Sequence, residues 1–109
     1  MVTFHDLCHQ AIDEIYAMYP HVDIIETDQF ETKEGSVEAI NVDPASYNLP
    51  EIGQDFRDIL TKYCQENEVS IDVQDLKHLP RQFSFTSGDQ MIYVNLHQTV
   101  TCFALIKLI

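Results

Sequence analysis

The spacing of apolar residues changes twice along this chain, and that change limits the folds open to it. Phe4, Leu7, Cys8, Ala11, Ile12, Ile15 and Met18 recur every three or four residues, the mark of an amphipathic helix. Thr3 followed by Asp6 has capping-box spacing at its start, and Pro20 ends it. From residue 23 the period drops to two. The runs "DIIETDQFET" and "SVEAINV" flank Gly35 and predict a β-hairpin. After the loop "DPASYNLP", Asn48 and Glu51 share capping-box spacing, with Pro50 in the first turn. Ile52, Phe56, Ile59, Leu60, Tyr63 and Cys64 then form the stripe of a second helix.

The remainder reads as strand. "VSIDV" alternates, with Val69, Ile71 and Val73 expected to point inward. "RQFSFTSGDQMIYVNL" is a hairpin about Ser87-Gly88-Asp89, and "VTCFALIKLI" is apolar on both faces, as an interior strand would be. The order α-β-β-α-β-β-β-β predicts an α+β fold. We expect a single two-layer domain over residues 1–109, a mostly antiparallel sheet with two helices on one face. At 109 residues the chain has room for one such core.

Charge is the unusual quantity. Eighteen acids face six bases, and the imbalance is lopsided: residues 1–56 carry twelve acids and one base, residues 57–109 six acids and five bases. Such asymmetry predicts a directed field and a cationic partner. The six bases, Lys33, Arg57, Lys62, Lys77, Arg81 and Lys107, are scattered, which argues against direct nucleic-acid binding and against anionic membranes. Cys8, Cys64 and Cys102 have no paired spacing and fall at apolar positions, so they read as small buried hydrophobes in a reducing compartment. The N-terminal residues lack a basic start and an apolar run, and the apolar C-terminal run is about half the length a bilayer needs. A cytoplasmic location is the expectation.

The acids concentrate in the first hairpin. Residues 21–43 hold seven carboxylates, Asp23, Glu26, Asp28, Glu31, Glu34, Glu38 and Asp43, against Lys33 alone. A two-residue Glu34-Gly35 turn would set Glu31 opposite Glu38 and Glu26 opposite Asp43, and like charges opposed in a sheet are destabilising. Same-face carboxylates on a strand repeat at about 6.8 Å. That is close to two steps of the ~3.4 Å rise per phosphate on one nucleic-acid strand. These seven acids, with Tyr47 in the adjoining loop as an aromatic anchor, are the candidate partner-binding residues.

Chemistry-bearing patterns are weaker. His5, His9 and Asp13 at i, i+4 and i+8 share one helix face and resemble a partial zinc set. That face must be polar in any case, and the sequence offers no obvious fourth ligand, so no metal and no cofactor are expected. Cys8 and His9 are adjacent on the helix and diverge, which is no nucleophile–base pair. Gly35, Gly53 and Gly88 lie too far apart for a phosphate loop. No catalytic residue is assigned.

The expectation is therefore a non-enzymatic, acidic inhibitory protein that blocks a basic, nucleic-acid-processing enzyme. An immunity protein or antitoxin of a nuclease toxin is the leading form, and a phage-encoded nucleic-acid mimic acting on a restriction or CRISPR nuclease is the alternative. Small acidic nuclease inhibitors of the barstar kind are similar in charge and size, though not in sequence. A metal-binding or enzymatic domain using His5 and His9 is the reading from another class. An acidic chaperone or adaptor with an apolar partner surface is the third.

Overall fold

A computed structural model describes residues 2–43, 49–75, 82–97 and 100–108. Helix α1 (Phe4–Met18) begins where expected. The Thr3 hydroxyl accepts from the Asp6 N–H while the Asp6 carboxylate accepts from the Thr3 N–H, each at 3.1 Å. Phe4, Leu7, Cys8, Ala11, Ile12 and Ile15 are buried, as their spacing requires, while Met18, the last residue of the expected stripe, is exposed at the helix end. Helix α2 (Leu49–Glu66) turns Ile52, Phe56, Leu60 and Cys64 into the same core. The expected Asn48 cap lies outside the described residues. Two tyrosines tie the helices together: Tyr19 donates to Asp55, and Tyr63 donates to Glu14.

Among the described residues the strands are β1 (Asp23–Glu31), β2 (Gly35–Asp43), β3 (Asp72–Asp75), β4 (Gln82–Ser87), β5 (Gln90–Leu96) and β6 (Thr101–Leu108). They form one sheet in the order β1-β2-β6-β5-β4-β3, with every neighbouring pair antiparallel. The chain is an α+β domain of the expected element order. The C-terminal strand β6 lies at the sheet's centre, which accounts for its apolar composition. One face of the sheet carries Ile40, Val42, Phe83, Phe85, Ile92, Val94, Phe103 and Leu105 against the helices. The opposite face carries Phe30, Val37, Ala39, Met91, Ala104 and Ile106, of which Phe30 is half exposed and Val37 buried, and among the described residues no helix covers it.

Two strand expectations are corrected. The segment "VSIDV" becomes regular only at Asp72; Val69 and Ile71 pack on the core before the strand starts, and Val73 is exposed. It forms a short edge strand that Arg57 fastens to α2 through Asp75 at 2.7 Å, while the same guanidinium stacks over Phe83 of β4.

The second correction is the register of the first hairpin. The turn residues are Lys33 and Glu34, flanked by Thr32 and Gly35, whose backbones exchange hydrogen bonds. The Thr32 hydroxyl tightens the turn by accepting from the N–H groups of Glu34 and Gly35 and donating to the Gly35 carbonyl. Glu31 therefore faces Ser36 rather than Glu38, and Glu26 faces Asn41 rather than Asp43. Gly35 is needed for a different reason from the one its turn-like context suggested. A Cβ there would lie 2.0 Å from the Lys107 carbonyl oxygen, so only glycine lets β2 approach β6 at this point.

Candidate functional site

Strand β1 is an edge strand, and all nine of its residues are exposed. Its pairing decides where each acid points. Asp28 opposes Ala39 and Glu26 opposes Asn41, both on the open face of the sheet. Between Ile24 and Glu26 the register shifts, a bulge that absorbs one residue. Its effect is to turn Asp23, opposite Asp43, onto the same face as Glu26 and Asp28. Three β1 carboxylates thus stand in a row along one side of an uncovered sheet face. Among the described residues, no base lies within ion-pair distance of Glu26 or Asp28. Next to this row lie Phe30, half exposed, and the small side chains Ala39 and Ala104.

The other sequence-selected acids divide. Glu34 sits in the exposed turn, and Glu31 accepts a hydrogen bond from Ser36 at 2.9 Å on the helix-covered side. Asp43 is exposed at the far end of β2. Tyr47 lies outside the described residues.

Glu38 departs most from its expected place. It shares the core-facing side of β2 with Ile40 and Val42, with Leu105 and Gln29 opposite on either side. Its side chain is 20% exposed. Helix α1 crosses above, and the two imidazoles of its first two turns close on the carboxylate. His5 Nε2 lies 3.0 Å from one Glu38 oxygen and His9 Nε2 lies 3.0 Å from the other. A carboxylate can only accept, so both Nε2 atoms donate. The rings stand with centroids 4.6 Å apart. The three ligand-type atoms lie within 4.8 Å of one another, and Asp13, the carboxylate that helical spacing had suggested, is not among them. The cluster opens onto a cleft of about 610 Å³ between the start of α1 and the strand ends, where Thr3, Gln29, Glu31 and Lys107 also stand.

Sequence reasoning found the two histidines and missed their partner. Thirty-three residues separate His5 from Glu38, so no local spacing links them. The available signal was a charged residue at a core-parity position of β2, in phase with Ile40 and Val42.

Burial disfavours the thiolate form of all three cysteines. Burial pushes the Cys8 thiol far above its ordinary range, and it raises those of Cys64 and Cys102 as well. Tyr16 is pushed up to about 12, by burial first and then by Asp13 and Asp23. Among the described residues no helix is long and apolar enough to cross a membrane. No protein-family model, curated protein or solved structure matches the chain.

Proposed function

We propose that this protein is a non-catalytic inhibitor that docks the open face of its sheet, led by the β1 edge, onto a basic site. The target is a nucleic-acid-processing enzyme, and an immunity protein or antitoxin of a nuclease toxin, working in the cytoplasm, is the leading form. The observation that carries the reading is the row Asp23, Glu26 and Asp28 on one exposed face, beside uncovered apolar surface. Acids at a rim next to an apolar patch make a mixed interface, in which the apolar part contributes contact area and the charges contribute specificity. The charge of residues 1–56 gives long-range attraction to a basic partner and a fast encounter.

The collinear spacing also supports the phage-mimic form, because same-face carboxylates about 6.8 Å apart approximate alternate phosphates of one strand. Glu38 is not assigned to this surface, since the α1 histidines occupy its oxygens.

The test is affinity capture from the native host with the wild-type protein and with Glu26→Gln/Asp28→Asn, followed by inhibition assays on the captured enzyme. We expect a basic nucleic-acid enzyme that is retained and inhibited by the wild type, and lost with the double variant. Capture of non-basic proteins, or inhibition indifferent to the double change, refutes the proposal.

A further inference from the structure

The geometry points to a zinc-binding site formed by His5 Nε2, His9 Nε2 and one Glu38 carboxylate oxygen, with a fourth position open to the cleft. It is independent of the inhibitory reading, which uses the opposite face of the sheet. Two imidazoles and a carboxylate are a recognised donor set for zinc with one position left free for water or another ligand. Nitrogen donors favour a borderline transition ion over magnesium or calcium, which take oxygen.

The atoms are close to where zinc needs them. With bonds of about 2.0–2.1 Å, a tetrahedral ion sets its ligands about 3.3 Å apart. Each histidine nitrogen already lies 3.0 Å from a Glu38 oxygen, and the whole set falls within 4.8 Å. Small rotations complete the contraction. The His5 and His9 side chains are 44% and 38% exposed, so their rings have room to make them. The frame beneath them is fixed: the Thr3–Asp6 box sets the start of α1, and pairing with both β1 and β6 holds Glu38.

Without metal, the two Nε2 protons bridge the imidazoles to the carboxylate. Zinc takes the place of those protons. A neutral ring moves its proton to Nδ1, and an imidazolium releases one to solvent, so binding must weaken as pH falls. The ion would link α1 to β2, two elements far apart in sequence.

The experiment is titration of chelator-treated full-length protein with zinc chloride by calorimetry at pH 7.5 and pH 6.0, with magnesium chloride as control. Circular dichroism checks that each variant is folded. We expect one zinc per chain, weaker binding at pH 6.0, and no response to magnesium. Affinity should fall at least about tenfold in His9→Ala and in Glu38→Gln, since even outer-shell changes at metal sites cost 10–100-fold. Asp13→Asn should bind as the wild type does. His9→Ala alters a half-exposed side chain and keeps the test valid if Glu38→Gln unfolds. No saturable binding, several equivalent ions per chain, or equal affinity in wild type and His9→Ala overturns the inference. So does an Asp13→Asn loss as large as that of His9→Ala, which would indicate a diffuse acidic surface.

Discussion

Outward and inward carboxylates of the same hairpin should respond to neutralisation with opposite signs. Glu26 and Asp28 point from the open face of β1 without a base at ion-pair distance among the described residues, whereas Glu38 points under α1 and accepts from two imidazoles. Two unit charges ~6.8 Å apart in water repel by about 0.6 kcal/mol. Screening with a Debye length of about 8 Å cuts that to roughly 0.3 kcal/mol at physiological salt. Glu26→Gln with Asp28→Asn removes this repulsion and breaks no hydrogen bond among the described residues. For a domain near this size 1 kcal/mol moves Tm by about 4–8 °C, so the expected rise is roughly 1–2 °C. Glu38→Gln keeps an acceptor for one histidine, meets the other with an amide N–H only after that ring moves its proton to Nδ1, and removes the carboxylate charge from both contacts. A hydrogen bond is worth about 0.5–1.5 kcal/mol net, and the half-exposed histidines place this loss near 1 kcal/mol, a fall of about 4–8 °C. Scanning calorimetry of chelator-treated samples at pH 7 reads both. If the double variant melts several degrees lower, or Glu38→Gln melts as the wild type does, the assignment of faces is wrong.

Gly35→Ala should destabilise by about 1–3 kcal/mol, as overpacking does, because its Cβ meets a backbone carbonyl that cannot move aside without parting β2 from β6; urea denaturation measures it. Thr3 holds the Asp6 carboxyl below its ordinary range, chiefly through its backbone N–H. A depressed folded value means stability that is present above about pH 4, the unfolded value, and is lost as pH falls through the folded one. Asp6→Asn should therefore melt below wild type at pH 6, and the gap should close in strong acid. Cys8 and Cys64 should resist thiol reagents in the native protein and react fully in denaturant, a contrast that mass-spectrometric labelling detects. Association with a basic partner should slow steeply with added salt, and an on-rate insensitive to salt would remove the steering argument.

Local pattern alone determined much of this protein. Both helices and their buried stripes follow from three- and four-residue spacing, and the start of α1 from Thr3 and Asp6, because these signals depend on residues within a turn of one another. The turn at Ser87-Gly88-Asp89 was legible for the same reason, since Gly88 takes a left-handed conformation, and strand pairing of Ser87 with Gln90 narrows it to Gly88-Asp89. The acidic first half and its strand alternation were equally plain. Tertiary structure decided what alternation leaves open. A period of two separates two faces without saying which one the helices cover, so Glu38 and Glu26 looked alike until α1 was laid across β2. Turn position was open too: Gly35 drew the turn toward itself, while the Thr32 hydroxyl and the close approach of β6 fixed it one residue earlier. The bulge near Ile25 then aligned Asp23 with Glu26 and Asp28. Each of these outcomes depends on contacts between residues distant in the chain, and only the packed fold brings those residues together.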